Sequence, residues 1–168
     1  MPTRASLLRI EQIIVEHNIT EKIPFFRGLS PHQARQLLRI GRVKKFPKGQ
    51  ALCQDGDNST VMYVLLSGEL VVKDEEVELT RLTPLDIVGE MGLVTGLPRC
   101  ATIETCEDAT LMVIGRIEFE ALLKTDVKMA AQIYKNMLDS LCRKLRENNV
   151  QLVRSRSRAS RQMVASAI

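Results

Sequence analysis

Apolar positions recur with a helical period at both ends of the chain and with shorter spacing in the middle. Residues Leu7–Glu16 carry apolar side chains at helical spacing. A second helix is predicted from Ser30 and Pro31, which suit the N-cap and the first helical position, and it should end at Gly41. We therefore assign residues 1–41 to N-terminal helices.

Short apolar runs between residues 42 and 115 are separated by turn signals. These signals are Pro47-Lys48-Gly49, Asp55-Gly56-Asp57-Asn58, Ser67-Gly68 and the charged hairpin tip Asp74-Glu75-Glu76. Several short strands at this spacing predict an antiparallel roll that closes on itself. We expect an α+β fold, namely a jelly-roll-like antiparallel β-roll with N-terminal helices and a long C-terminal helix.

The period becomes helical again after the roll. A short helix is expected over 116–123, and Thr125 or Asp126 should cap a long helix that reaches at least Asn149. We assign 116–153 to hinge and dimerisation helices.

The long helix carries a heptad seam. Its members follow one another in steps of four and three: Tyr134, Leu138, Leu141, Leu145, Asn148 and Leu152. The seam favours a parallel homodimer through residues 130–152, and the alternative is packing of this stripe on the roll.

Charge is concentrated at the C-terminus. The net charge of the 168-residue chain is +4, and the arginines of the tail, residues 154–168, equal that excess. The neutral body argues against a nucleic-acid-binding face on the folded domain. We expect this basic, serine-rich tail to be disordered, with a docking strip for an acidic partner or nucleic acid as the alternative.

Composition excludes several other classes of protein. No apolar run approaches the roughly 20 residues that cross a bilayer, and Arg9 and Glu11 interrupt any secretory signal. The cysteines lack metal-ligand spacing and are expected to be reduced thiols of a cytoplasmic protein: Cys53, Cys100, Cys106 and Cys142. His17 and His32 have no nucleophile or metal-ligand set nearby in the sequence, so we expect neither a metal nor an enzyme activity.

One segment, residues 88–102, isolates a single acid and a single arginine in an apolar, glycine-marked stretch. Arg99 offers a rigid planar fork that matches phosphate oxygens, and Glu90 offers acceptors for sugar hydroxyl groups. Gly89 and Gly92 allow close backbone approach at the start of a short helix. From the two charges alone, a buried Glu–Arg ion pair is the alternative.

The surrounding residues decide between these interpretations. Gly89-Glu90-Met91-Gly92-Leu93 and Pro98-Arg99-Cys100-Ala101-Thr102 resemble the phosphate-binding cassette of the cyclic nucleotide-binding domain family. That family includes bacterial catabolite activators and regulatory subunits of cAMP-dependent protein kinase. The resemblance implies that Glu90 accepts from the ribose 2′-hydroxyl and that Arg99 pairs with the cyclic phosphate. Backbone N–H groups from Glu90 through Gly92 would complete the phosphate cradle, beside Gly89, Met91 and Ala101.

The base contacts implied by the resemblance are spread along the chain. The residues that would line the roll beside the base, or serve as ordinary core, are Val72, Leu79, Leu82 and Val88. Cys100 stands where a threonine in the family commonly accompanies cGMP, so we favour cAMP and keep cGMP as the second ligand. Asn148 and Asn149 would cap the adenine, although Asn148 could set the helical register instead and Asn149 could be simply exposed.

The resemblance also implies a role. We expect a stand-alone cyclic nucleotide sensor that signals to an unidentified effector protein through movement of its C-terminal helix, because too few residues follow Asn149 for a helix-turn-helix module. The alternatives are a nucleic-acid-associated regulator that uses its arginine-rich tail and a module that reads a different effector.

Overall fold

The computed structural model describes residues 23–58 and 60–165, with the side chains of 151 and 154–165 excepted. Eight strands within these residues form two four-stranded antiparallel sheets, ordered β1-β8-β3-β6 and β2-β7-β4-β5. The strands are β1 Gly41–Phe46, β2 Ala51–Cys53, β3 Val61–Ser67, β4 Leu70–Asp74, β5 Val77–Leu82, β6 Ile87–Val88, β7 Thr102–Thr105 and β8 Ala109–Gly115. The predicted antiparallel roll is confirmed.

In strand β3, side chains that point alternately to the two faces of the sheet build two parts of the core. Met62 and Val64 pack into a cluster shared with the helices, whereas Tyr63 and Leu65 face a second cluster between the sheets. Alternate side chains of a strand point to opposite faces, so one strand supplies both clusters. The roll is thus filled on the inside and covered by helices on one outer face.

The turn at Gly68 depends on glycine for two reasons. Its φ of +93° lies in the left-handed region, and a Cβ atom would lie only 2.7 Å from the Ala109 Cα and the Asp108 carbonyl oxygen. A side chain here would both strain the backbone and push β3 away from β8.

Helix α1, Pro31–Ile40, has the predicted boundaries. The Ser30 hydroxyl accepts from the Gln33 N–H at 3.2 Å, and the Gln33 side chain accepts from the Ser30 N–H at 3.0 Å. This capping box satisfies two N–H groups that the helix itself leaves unpaired. A 3₁₀ turn, Pro24–Phe26, precedes it.

The cassette contains a short helix, α2, Glu90–Thr95. Two longer helices then complete the cover of the roll. Helix α3 is Arg116–Thr125 and α4 is Val127–Ala165. Asp126 caps α4 through the Met129 N–H at 3.0 Å and accepts from the Gln33 side chain at 2.8 Å. The bond from Gln33 is the main reason that the pKa of Asp126 is lowered from its usual value.

Helix α4 has two apolar faces, and only one packs on the body. Met129, Ile133 and Met137 are between 0% and 5% exposed and contact the helical core cluster. The heptad seam lies on the neighbouring face. There Tyr134, Leu138 and Leu145 are 46%, 61% and 61% exposed, so the alternative in which this stripe packs on the roll is wrong.

The predicted helix Leu7–Glu16 lies outside the described residues. The backbone through Ala165 continues α4 in the structure, whereas the sequence predicted a disordered tail. The segment 127–165 contains no glycine or proline, so no residue in it breaks the helix.

Over the part of the chain that the structure describes, no helix has an apolar run long enough to cross a bilayer.

Candidate functional site

The cassette residues lie between strands β6 and β7 and include helix α2. Gly89 precedes α2 with φ +86° and ψ 5°, a left-handed conformation that glycine adopts without strain. A Cβ atom at Gly89 would collide with Nη1 of Arg99. Glycine is therefore required at this position both by the turn and by the close approach of the arginine.

Arg99 is buried, with 7% of its surface exposed. Its Nη2 donates to the Val61 carbonyl at 2.5 Å, and its backbone N–H donates to the Asp57 carbonyl at 2.8 Å. Within the described residues, its Nε and Nη1 atoms have no hydrogen-bond partner. A buried cation with unused donors is costly, and a bound anion that accepts from this guanidinium would lower that cost.

The groups around Arg99 do not neutralise it. Burial raises the pKa of both the Cys53 thiol and the Tyr63 phenol, and the charge of Arg99 opposes each shift. Both groups therefore stay uncharged at neutral pH. No carboxylate among the described residues forms an ion pair with Arg99, which leaves its positive charge available to a bound anion.

Glu90 is also buried, at 5% exposure, and its partner is a lysine of α4. The Lys144 Nζ lies 2.5 Å from the Glu90 Oε1 and 3.0 Å from the Ile87 carbonyl oxygen. Glu90 and Arg99 thus have separate partners, Lys144 and Val61. The alternative of a Glu90–Arg99 ion pair is wrong. The acid and the guanidinium remain two distinct recognition groups in one cassette.

The family model described as cyclic nucleotide-binding domain matches residues 43–126, half of the chain. The chain belongs to the cyclic nucleotide-binding domain family. The match runs from β1 to Asp126, the residue that caps α4, and it includes the whole cassette.

Proteins with several different names contain a segment similar to this cyclic nucleotide-binding domain. A cyclic nucleotide-gated potassium channel of Rhizobium etli is 25% identical over 134 residues, 79% of this chain and 37% of the channel. The cyclic AMP receptor protein of Thermus thermophilus is 27% identical over 150 residues, 86% of this chain and 68% of the receptor. The regulatory domain of Toxoplasma gondii PKA, solved with cAMP, matches with a TM-score of 0.61 and 25% identity over 73% of this chain and 46% of that chain. The chain thus spans little more than a third of the channel.

The remaining cassette residues of this cyclic nucleotide-binding domain are distributed on both sides of Arg99. Gly92 is buried in α2, whereas Met91 is 50% exposed. Cys100 is exposed and Ala101 is buried. The first N–H groups of α2, from Glu90 to Gly92, lack acceptors within the helix, as at any helix start.

The predicted base-pocket residues are only partly brought together. Val72, Leu82 and Val88 belong to the cluster between the sheets, the same cluster that holds Tyr63. Leu79 instead lies on β5 and is 49% exposed. Asn148 and Asn149 are exposed on α4, about one turn beyond Lys144. Three of the four predicted strand residues therefore share the apolar layer beneath Arg99.

Sequence reasoning missed Lys144 and Tyr63. Lys144 follows Met137 by seven residues, so it continues the body-facing stripe of α4, and this periodicity was the available signal. Tyr63 alternates with Met62 and Val64 on β3, which places it inside the roll. The Val61 acceptor is a backbone carbonyl, for which the sequence carries no signal.

The site contains no arrangement suited to a metal ion. Over residues 23–58 and 60–165, no group of three or more His, Cys, Asp or Glu side chains is placed to hold one. What the cassette offers instead is a buried cation with free donors and a buried carboxylate, which suits an anionic, hydroxyl-bearing ligand.

Proposed function

We propose that this chain is a regulatory cyclic nucleotide sensor, without catalytic activity, that binds cAMP in preference to cGMP. The observation that carries the proposal is Arg99, buried at 7% exposure with Nε and Nη1 unpartnered among the described residues. A cyclic phosphate supplies the negative charge and the acceptor oxygens that this guanidinium lacks. The first N–H groups of α2 would add donors to the same anion.

The sugar hydroxyl is assigned to Glu90. A buried carboxylate accepts strongly from a hydroxyl group, and a ligand without that hydroxyl leaves the acceptor unpaired. The name of the Thermus relative supports cyclic AMP as the ligand, as does the cAMP in the Toxoplasma domain.

The preference for cAMP rests on Cys100, which is exposed directly after Arg99. A thiol is a weaker hydrogen-bonding group than the threonine hydroxyl that accompanies cGMP in the family. The apolar layer of Val72, Leu82 and Val88 would bind the base through van der Waals contacts and not through a specific hydrogen bond. Asn148 and Asn149 are proposed as polar partners of the base edge, contributed from α4.

The signalling route proposed for this sensor is α4. One face of the helix packs on the body through Met129, Ile133 and Met137, while most of the heptad seam is exposed. We assign the seam to a homodimer over residues 130–152, because an exposed stripe with this repeat matches a second copy of itself. Ligand binding would favour one position of α4 against the roll, and an effector protein that recognises this position would be coupled to the nucleotide.

A second function, as a nucleic-acid-associated regulator, is favoured by the charge of the C-terminal segment. Its sequence carries four arginines and no acid, a composition suited to neutralising the phosphates of a nucleic acid: Arg154, Arg156, Arg158 and Arg161. Binding of duplex DNA that weakens steeply with salt and is lost on deleting the residues after Val153 would support this role.

Calorimetric titration of the purified chain with cAMP, cGMP and a cyclic dinucleotide tests the leading proposal. We expect saturable binding of cAMP, weaker binding of cGMP and no binding of the dinucleotide, whose bulk and second phosphate the single guanidinium does not match. Binding of the dinucleotide alone would reassign the site to a different effector.

A further inference from the structure

The contact between Lys144 and Glu90 joins the cassette to a residue 54 positions further along the chain. The Lys144 ammonium also donates to the Ile87 carbonyl at 3.0 Å, so two acceptors fix its position. The Glu90 side chain is 7% exposed, whereas that of Lys144 is 35% exposed. The Lys144 side chain therefore extends from the surface of α4 to the buried carboxylate of Glu90.

The surroundings of Glu90 leave Lys144 as its counter-charge. The small cleft beside Glu90 is lined by uncharged residues: Phe25, Ile87, Asn136, Met137 and Ser140. The neighbouring cation, Arg99, donates to Val61 instead. A buried carboxylate whose partner is removed keeps the full cost of its desolvation, so Glu90 depends on this one ammonium.

The body-facing side of α4 holds the lysine in place. Met137 lies two turns before Lys144 and is 5% exposed within the helical core. Ser140, one turn before Lys144, lines the same cleft as Glu90. Since residues four and seven apart share a helix face, the packing of α4 fixes where its ammonium can lie.

We propose that Lys144 is a positioning residue for the sugar hydroxyl of the ligand. The Lys144 ammonium occupies Oε1 of Glu90 and fixes the orientation of the carboxylate, so that Oε2 accepts from the ribose 2′-hydroxyl. The inference rests on the proposed function, because it concerns how that site recognises the sugar. It also makes α4 part of the sugar site through a direct contact.

The test compares two ligands on four proteins: the wild-type chain, Lys144→Met, Lys144→Arg and Lys135→Met. Lys135 is an exposed lysine of the same helix and serves as the matched control. The ligands are cAMP and 2′-deoxy-cAMP, which lacks only the hydroxyl assigned to Glu90. Calorimetry gives each Kd, and circular dichroism with urea unfolding verifies the fold of each variant.

Lys144→Met should weaken cAMP binding about tenfold or more, the usual cost of losing a hydrogen bond to a charged group, and should change 2′-deoxy-cAMP binding by about twofold at most. Lys144→Arg, which keeps the charge, should restore most of the cAMP affinity, and Lys135→Met should leave both affinities unchanged. If Lys144→Met does not fold, Lys144→Gln, which keeps polar length without charge, takes its place.

Three results would overturn the proposal. They are unchanged cAMP affinity in Lys144→Met, tighter binding because the lysine competes with the sugar, and equal losses for the two ligands. Each of these presupposes that the wild-type chain binds cAMP. If the wild-type chain binds neither ligand, the proposed function itself fails, and that outcome is distinguishable from failure of Lys144 alone.

Discussion

The guanidinium of Arg99 lies over the ring of Tyr63, with its central carbon 5.9 Å from the ring centroid. The ring is fixed from its other end, because its hydroxyl donates to the Leu52 carbonyl at 3.2 Å. The face of an aromatic ring carries partial negative charge and attracts a cation. Tyr63 therefore supports Arg99 from inside the roll.

Replacing Tyr63 with leucine should weaken cAMP binding by roughly 2- to 30-fold, since a cation–π contact is worth about 0.5–2 kcal/mol. The matched control is Tyr63→Phe, which keeps the ring and removes only the hydroxyl. Its affinity should stay within about twofold of the wild type. Equal losses in the two variants, measured by calorimetry, would show that the ring does not support Arg99.

Gly89 offers a second test, because Gly49 is a matched control. Both have positive φ, +86° and +78°, but a Cβ atom at Gly49 meets no atom within 4 Å, whereas one at Gly89 collides with Arg99. The positive φ alone should cost each alanine variant about 1–2 kcal/mol of unfolding free energy. Gly89→Ala alone should also weaken cAMP binding about tenfold or more, because it displaces the guanidinium. Similar affinities for the two variants in calorimetry would mean that the position of Arg99 is not critical.

The roll and the cassette could be predicted because their signals are local. Turn residues such as Gly68 mark strand ends, and the cassette is contiguous between Gly89 and Thr102. The partner of Glu90 could not be predicted in this way, because Lys144 is remote in sequence and reaches the site only through the packing of α4. The heptad seam could be recognised from the sequence. The sequence pattern alone does not distinguish it from the adjacent body-facing stripe that ends at Lys144.

The extension of α4 to Ala165 could not be predicted from the composition of this segment. Its basic, serine-rich composition is typical of disorder, yet composition averages over residues and does not register the continuity of a helix. The nearest helix-breaking residue before Ala165 is Gly115, which precedes α3. A helix that is already nucleated and packed at Met129 therefore continues, because each added residue costs little.

The seam should control self-association. Placing glutamate at both Leu138 and Leu145, which are each 61% exposed, should convert a dimer into a monomer, because like charges would face each other across the two-fold axis. Sedimentation velocity measures the change. Asp139→Lys, at an exposed position of α4 that does not flank the seam, is the control and should remain dimeric. A wild-type chain that is monomeric at all concentrations would contradict the assignment.

Asn136 should contribute to stability rather than to binding. It is 4% exposed, and its amide donates to the Phe25 carbonyl at 3.0 Å and to the Arg27 carbonyl at 2.7 Å. Asn136→Ala should therefore lower the free energy of unfolding by roughly 1–3 kcal/mol, since it leaves buried acceptors unpaired. Urea denaturation without ligand measures this, and Asn149→Ala, at an exposed position of the same helix, should change it by less than about 0.5 kcal/mol. Equal losses would indicate that Asn136 does not anchor the 3₁₀ turn to α4.

Calorimetric titration of cAMP into the wild-type chain, Arg99→Ala and Arg39→Ala tests the assignment of the phosphate most directly. Arg39 is an exposed arginine of α1 and controls for the loss of one positive charge. We expect saturable binding in the wild type and in Arg39→Ala, and no measurable binding in a folded Arg99→Ala protein, because the buried guanidinium is the main cation for the cyclic phosphate. Wild-type affinity in Arg99→Ala, or no binding by the wild-type chain, would contradict the function proposed for this site.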